Sequence, residues 1–227
     1  MKNKLSKIIN RHLEKSQVDQ QRNYIGASSI GKACKRAIWY DYNHFNKASF
    51  TGKQLLKFKF GNFAEETLFQ FLEQSGYTIV GRNVPCEEPS LPIFQGHIDG
   101  IIEHPDDGLS IVEMKSINDA GFRMFASKGL KQWENTFGAQ KFQQSYYAQV
   151  QSYMGMKNIN RAYLLAVNKD TSELCDEEIF FDEIYYDSLV AKAEEIVSAQ
   201  EAPERINKND FWFQCQECRF KGVCHDQ

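Results

Sequence analysis

The chain has 227 residues, 42% hydrophobic and 25% charged, which is ordinary for a globular protein and excludes a disordered or collagen-like one. No run approaches the roughly 20 apolar residues that span a bilayer. The charged start, Met1 to Ser16, lacks the apolar core of a secretory signal, so a cytoplasmic protein without a membrane partner is expected. The net charge of −3 excludes a uniformly basic coat, but residues 1–60 hold 13 Lys/Arg and 3 Asp/Glu against 14 and 27 in the other 167. A basic segment on an acidic body fits a partner bearing phosphates, and equally a solvated face that offsets acidic neighbours.

In chain order, Leu5, Ile8, Ile9 and Leu13 recur at helical spacing and predict an amphipathic helix over residues 1–16. Ser28-Ser29 ahead of Gly31 to Tyr40 reads as a capped helix start. A long helix is expected over residues 53–75, with Gly76 as its stop, followed by a strand from Thr78 to Val84. Phe94 to Glu103 and Ser110 to Ser116 read as strands joined by the turn His104-Pro105-Asp106-Asp107-Gly108, hence a β-hairpin. Residues 119–138, with Gly121, Gly129 and Gly138, read as a mobile loop, Phe122 to Trp133 within it as a lid or strand-separating segment, and residues 139–156 as a helix. Strands follow at Arg161 to Asn168 and Glu177 to Phe181, then an amphipathic helix from Asp182 to Ala199 and a tail of little regular structure. That order predicts an α/β or α+β fold with a mixed central sheet flanked by helices.

The text Gly96-His97-Ile98-Asp99-Gly100, then Ile111-Val112-Glu113-Met114-Lys115, carries the most chemistry. Alternate residues of a strand share a face, so Glu113 and Lys115 point one way and Met114 the other. Hairpin pairing brings Asp99 beside Glu113. Two carboxylates supply hard oxygen ligands for Mg²⁺ or Mn²⁺, and an ammonium beside them can orient water or stabilise developing charge. An exposed hairpin with ordinary surface charges would show the same Glu-x-Lys. The preceding Gly-x-x-Asp-Gly and the apolar Ile111-Val112 favour the catalytic reading.

Six cysteines are present, at 34, 86, 175, 215, 218 and 224. Cys215, Cys218 and Cys224 form a C-x2-C-x5-C cluster, a spacing that suits zinc or an iron–sulfur group. A fourth ligand is needed: His225 adjoins Cys224 awkwardly, and Cys34 is distant in sequence.

Asp99, Glu113 and Lys115 resemble the signature of the PD-(D/E)XK nuclease superfamily, most closely its RecB-like and lambda-exonuclease-like branches. The usual proline before the first acid is replaced by Ile98. The resemblance extends to Gln149 and Tyr153, which match a Gln-x-x-x-Tyr motif on the following helix, and to Gly61-Asn62-Phe63-Ala64-Glu65. It implies that Glu65, with Glu66 as the neighbouring alternative, joins Asp99 and Glu113 as a metal ligand. Gln149 and Tyr153 would support Lys115 and the DNA strand. The cysteine layout is similar to that of the AddB nuclease domain and the CRISPR-adaptation nucleases. It implies that Cys34, Cys215, Cys218 and Cys224 hold a [4Fe-4S] cluster stapling the two ends of a restriction-endonuclease-like core, with structural Zn²⁺ as the alternative.

The resemblance further implies one nuclease domain over 1–227, with a helical extension at 1–24, the core at 25–200 and the cysteine tail at 201–227. Arg22, Ser28, Ser29, Lys32, Lys35 and Arg36 form a polar and basic group that would bind DNA phosphates. The expected function is a divalent-metal-dependent exonuclease acting on DNA with a free end, in repair, recombination, phage replication or CRISPR adaptation, with a helicase, a recombinase or a CRISPR-adaptation protein as the expected partner. An endonuclease on the same core, or a catalytically idle DNA-binding module, are the rivals.

Overall fold

Local capping chemistry sets the first elements of the computed structural model, which describes residues 4–17, 22–104, 108–133 and 143–226. Helix α1 (Lys4–Lys15) forms where the periodicity placed it, but only Leu13 of its apolar stripe is buried; Leu5, Ile8 and Ile9 face outward. Its far end is tied to the chain ahead of the long helix. Glu14 accepts the Gly52 N–H at 2.7 Å and Gln17 accepts the Phe50 N–H at 3.0 Å.

The single capped helix expected over Gly31 to Tyr40 is instead two short ones. A two-residue strand β1 (Ile25–Gly26) leads into α2 (Ala27–Ile30), and α3 (Lys35–Tyr42) follows. Gly26 is the N-cap of α2, so Ser28 and Ser29 lie within the helix rather than capping one. Extended backbone at Cys34 (φ −86°, ψ 98°) separates the two helices.

Helix α4 (Gly52–Gln74) opens on a capping box: Thr51 accepts the Gln54 N–H, and the Gln54 side chain accepts the Thr51 N–H. Gly76, at φ +98°, turns the chain out of it as anticipated. Its Leu68 and Phe69 pack on the sheet, while Leu56, Phe60, Phe63 and Phe71 are exposed.

The sheet adds β2 (Thr78–Glu88), β3 (Leu91–His104), β4 (Gly108–Ile117), β5 (Arg161–Asn168) and β6 (Leu174–Phe180), in the order β1-β3-β4-β5-β6 with β2 also on β3. Pairings β1–β3 and β4–β5 are parallel; β2–β3, β3–β4 and β5–β6 are antiparallel, so the sheet is mixed. The expected hairpin is β3–β4; its turn residues 105–107 lie outside the described residues.

One detail of this topology makes room for a site. β2 runs along one edge of β3 from Leu91 to Glu103. The other edge is shared: β1 pairs at Phe94 and Gln95, and β4 pairs from Gly100 to His104. Residues 96–99 fall in the interval between them, and Asp99 stands at its end.

The two sheet faces carry separate cores. Leu68 and Phe69 of α4 meet Ile102, Val112 and Met114 on one face. The other, larger core gathers α6 (Gln143–Lys157), α7 (Glu183–Ser198) and the α2–α3 segment, with Ile98, Ile101, Ile111 and Leu164 from the sheet. Val112 and Met114 face α4, so Glu113 and Lys115 take the opposite side, as strand alternation requires.

The loop expected at 119–138 is in its first part a helix, α5 (Asp119–Trp133); residues 134–138 lie outside the described residues. Buried Phe122 and Phe125 anchor it to the core. Of its glycines, Gly129 is the one that breaks the helical path (φ 66°, ψ 173°).

The tail is not wholly irregular either, since it forms α8 (Phe213–Gln216) and α9 (Lys221–His225). It is held to the α2–α3 segment by side chains that reach backbone carbonyls. Trp39 Nε1 donates to Ala199 O at 2.9 Å, and Arg36 Nη1 to Ala202 O and Pro203 O at 3.2 and 2.8 Å. Lys192 Nζ, on α7, donates to Ile30 O and Lys32 O at 2.6 and 2.7 Å. No helix among the described residues is long and apolar enough to cross a membrane.

Candidate active site

Where β3 and β4 part, the Asp99 carboxylate takes over from the backbone: Asp99 Oδ2 accepts the Met114 N–H at 2.8 Å. One step along the ladder from the last pair, Gly100 with Val112, Asp99 stands beside Glu113. Glu113 is fully buried on the middle of β4, and Lys115 Nζ donates to its Oε1. The other carboxylate oxygen, Oε2, is buried with no hydrogen-bond partner.

An unpartnered buried carboxylate oxygen is costly. Burial drives the Glu113 carboxyl up to about 8 against the pull of Lys115, and Asp99 and Glu65 push the same way. Burial by itself would lower Lys115, but the Glu113 and Asp99 carboxylates outweigh it and hold the ammonium above the ordinary lysine range. Three carboxylates thus bear on one half-buried ammonium, and a further cation would let Glu113 ionise fully.

Glu65 reaches this cleft from α4. Its carboxyl is raised by burial and by Asp99, and lowered by Arg82 and Lys115. Arg82 Nη2 on β2 lies 2.9 Å from Glu66 Oε2 and 3.9 Å from Glu65 Oε1. Gln149 and Tyr153 occupy one face of α6, with Gln149 Nε2 donating to the Tyr153 hydroxyl at 2.8 Å. Burial and the Glu113 charge raise the Tyr153 phenol well above its ordinary range. The structure therefore brings Glu65, Asp99, Glu113, Lys115 and the Gln149–Tyr153 pair to one region.

Sequence reasoning missed several contributors. The Tyr146 ring lies 5.1 Å from Lys115 Nζ, centroid to nitrogen. Its position three residues before Gln149 and seven before Tyr153 puts it on their helix face, which was a usable signal. Arg82 had none, because its neighbours come from strand register and helix packing. The signature glycines also acquire a reason. A Cβ on Gly96 would stand 2.4 Å from Tyr153 Cε1, and one on Gly100 would stand 2.2 Å from Phe69 Cζ.

The four clustered cysteines are likewise brought together. Cys34, Cys215, Cys218 and Cys224 line one cavity of about 680 Å³, which does not include Asp99, Glu113 or Lys115. All are free thiols. Cys215 and Cys218 are pushed up first by burial, and then by the other cysteines of the quartet. Among the described residues, however, no group of three or more His, Cys, Asp or Glu side chains is arranged to hold a metal ion, here or at the carboxylates.

The proposed phosphate group divides. Arg22, Ser29, Lys32 and Arg36 line the same cavity, whereas Ser28 is exposed outside it. Lys32 is reached by solvent through the cavity yet crowded by protein, and its pKa is lowered by burial, with Arg22 and Arg219 adding to the effect. Two of the expected binders are engaged elsewhere: Lys35 pairs with Glu195 at 2.5 Å, and Arg36 is spent on Tyr40 and the tail carbonyls.

Three solved structures share this arrangement of elements. SSO0001 matches with a TM-score of 0.56 at 18% identity, covering 97% of this chain and 95% of its own. An alkaline exonuclease, LHK-Exo, from Laribacter hongkongensis matches with a TM-score of 0.55 at 11% identity over 83% of this chain and 91% of its own. A phage related exonuclease from Haemophilus somnus 129PT gives 0.55 at 15% identity over 76% and 91%. At such identities the likeness defines the class of fold: a mixed α/β sheet flanked by helices, as in these structures. No curated protein matches the chain in sequence. The model of the YqaJ-like viral recombinase domain matches residues 18–160, more than half of the chain. The chain belongs to that family.

Proposed function

We propose that this protein is a divalent-metal-dependent DNA exonuclease of the PD-(D/E)XK type, with Asp99, Glu113 and Lys115 at its centre. The observation that carries the reading is the buried, unpartnered Oε2 of Glu113 beside a second carboxylate and an ammonium. Such an oxygen on a hard, anionic donor set fits Mg²⁺ or Mn²⁺. Asp99 and Glu113 would hold the ion, with Glu65 completing the set. The ion would polarise the phosphoryl group and acidify the attacking water. Lys115, held by Glu113, would orient that water and offset charge that grows on the phosphate. Gln149 and Tyr153 hold the wall beside Glu113. Arg22, Ser29 and Lys32 offer hydrogen-bond donors to the DNA backbone from the neighbouring cavity.

The exonuclease assignment is supported by family membership and by two structural neighbours that are themselves exonucleases. Cleavage of end-labelled linear and closed circular DNA, with Mg²⁺, Mn²⁺ or chelator, tests it. Metal-dependent loss of linear DNA alone is expected. Cutting of the circle would move the assignment to an endonuclease, and an Asp99→Ala protein as active as wild type would end it.

The four cysteines extend the proposal. Thiolates at these spacings, converging on one cavity, suit a [4Fe-4S] cluster, or zinc as the alternative. Either would join the α2–α3 segment to the tail and add to the staple made by Trp39 and Arg36. Anaerobic purification followed by metal analysis decides between them. Wild type carrying iron and Cys215→Ser carrying none is the expected result; neither metal in the wild type would leave the quartet as plain thiols.

A further inference from the structure

Glu65 and Glu66 are adjacent on α4, and either could serve as the third acid by spacing alone. Successive helical residues point about 100° apart, so only one of them can face Asp99 at a time. The choice is a matter of how α4 is rotated against the sheet.

Three contacts fix that rotation. Phe69, one turn after Glu65, has its buried ring pressed so closely on Gly100 that a Cβ there would be 2.2 Å from Cζ. The guanidinium of Arg82 lies over the same ring, 3.9 Å from its centroid. Arg82 itself stands on β2 directly opposite Gly100, the residue after Asp99. The ring is thus gripped between the backbone next to one acid and an arginine anchored on the neighbouring strand.

The same guanidinium then reaches the glutamates. Its Nη2 is 2.9 Å from Glu66 Oε2 but 3.9 Å from Glu65 Oε1, and Glu66 is the more exposed of the two. The short contact draws Glu66 outward, and Glu65, one turn before Phe69, is left on the helix face that meets Gly100 beside Asp99. A planar fork that stacks on an aromatic and pairs with a carboxylate at once is specific to arginine.

We infer that Arg82 is the positioning residue that selects Glu65 over Glu66 as the third acid of the site, through its combined grip on Phe69 and Glu66. The inference rests on the metal-site reading above.

The test is calorimetric titration of Mn²⁺ into the intact, DNA-free protein, run beside kcat and KM on linear DNA. Asp99→Ala probes the underlying reading: if Mn²⁺ binding survives it, the metal site itself is misassigned. With that control passed, Arg82→Ala is expected to weaken Mn²⁺ binding about 10-fold or more and to lower kcat with little change in KM, as for residues that orient metal ligands. Arg82→Lys keeps the charge but not the fork, and is expected to stay impaired. Full recovery with lysine, or Mn²⁺ affinity and kcat within about twofold of wild type in Arg82→Ala, would overturn the inference. If Arg82→Ala does not fold, Glu66→Gln on the exposed flank gives the same reading. It should weaken Mn²⁺ binding by a smaller factor, and an unchanged affinity would overturn the inference equally.

Discussion

Gly96 and Tyr153 leave each other no spare room: the ring of Tyr153 occupies the space where any side chain at position 96 would begin, its Cε1 2.4 Å from an ideal Cβ. Gly96→Ala must therefore displace the ring that carries the Gln149 hydrogen bond and borders Glu113. A loss of about 1–3 kcal/mol in urea unfolding is expected, together with a fall in kcat. Gly61 in α4 is the control. A Cβ there meets nothing within 4 Å, so Gly61→Ala should stabilise by about 0.5–1 kcal/mol through helix propensity. Equal effects at the two positions would contradict the packing described.

Tyr146 presents its ring to Lys115. Tyr146→Phe preserves that face and is expected to retain most activity. Tyr146→Leu removes it, and with about 0.5–2 kcal/mol at stake kcat should fall several-fold. A phenylalanine protein as impaired as the leucine one would instead assign the role to the hydroxyl.

Removal of metal should be visible in stability before it is visible in products. A group that binds only the folded chain at about 100 times its Kd adds about 2.7 kcal/mol, or about 5–10 °C in Tm for a protein of this size. Mn²⁺ is expected to raise Tm accordingly by relieving the Glu113 carboxylate. Chelator should reverse the rise, and Asp99→Ala should lack it. An unchanged Tm in wild type at saturating Mn²⁺ would count against carboxylate ligation.

Lys192 offers a pH test away from the site. Burial, helped by Lys35, brings its ammonium down to about 8 from 10.5. Between those values the unfolded chain holds the extra proton, so the contribution of Lys192 to stability rises with pH across that window. The stability difference between wild type and Lys192→Met should grow from about pH 8 toward about pH 10. A difference that stays flat would mean that Lys192 titrates as an ordinary lysine.

Much of this was legible in the sequence where periodicity is strict. The β3–β4 hairpin and the shared orientation of Glu113 and Lys115 follow from a two-residue repeat, which the structure obeys. The i, i+4 spacing likewise put Gln149 and Tyr153 in contact. Errors arose where a residue type has two uses. Gly121 and Gly129 read as loop, yet Phe122 and Phe125 bury enough surface to hold a helix through the first and up to a break at the second. Ser28 and Ser29 read as caps, but Gly26 takes that place. Other features lay out of reach of any local reading: the protein partners of Lys35 and Arg36, Glu195 and the carbonyls of Ala202 and Pro203, lie some 160 residues away. No local pattern announces such pairings. Arg82 escaped notice for the same reason.

The bonds that hold the α2–α3 segment to the tail share an asymmetry. In each, a particular side chain (Arg36 or Trp39) donates, and a main-chain carbonyl receives. Every amino acid brings the same carbonyl. Drift at Ala199, Ala202 or Pro203 therefore costs the junction little so long as the backbone path is kept, whereas each donor position admits hardly any other residue. Related chains should differ freely on the receiving side and stay uniform on the giving side, a pattern that an alignment of the family can reveal without any protein being made.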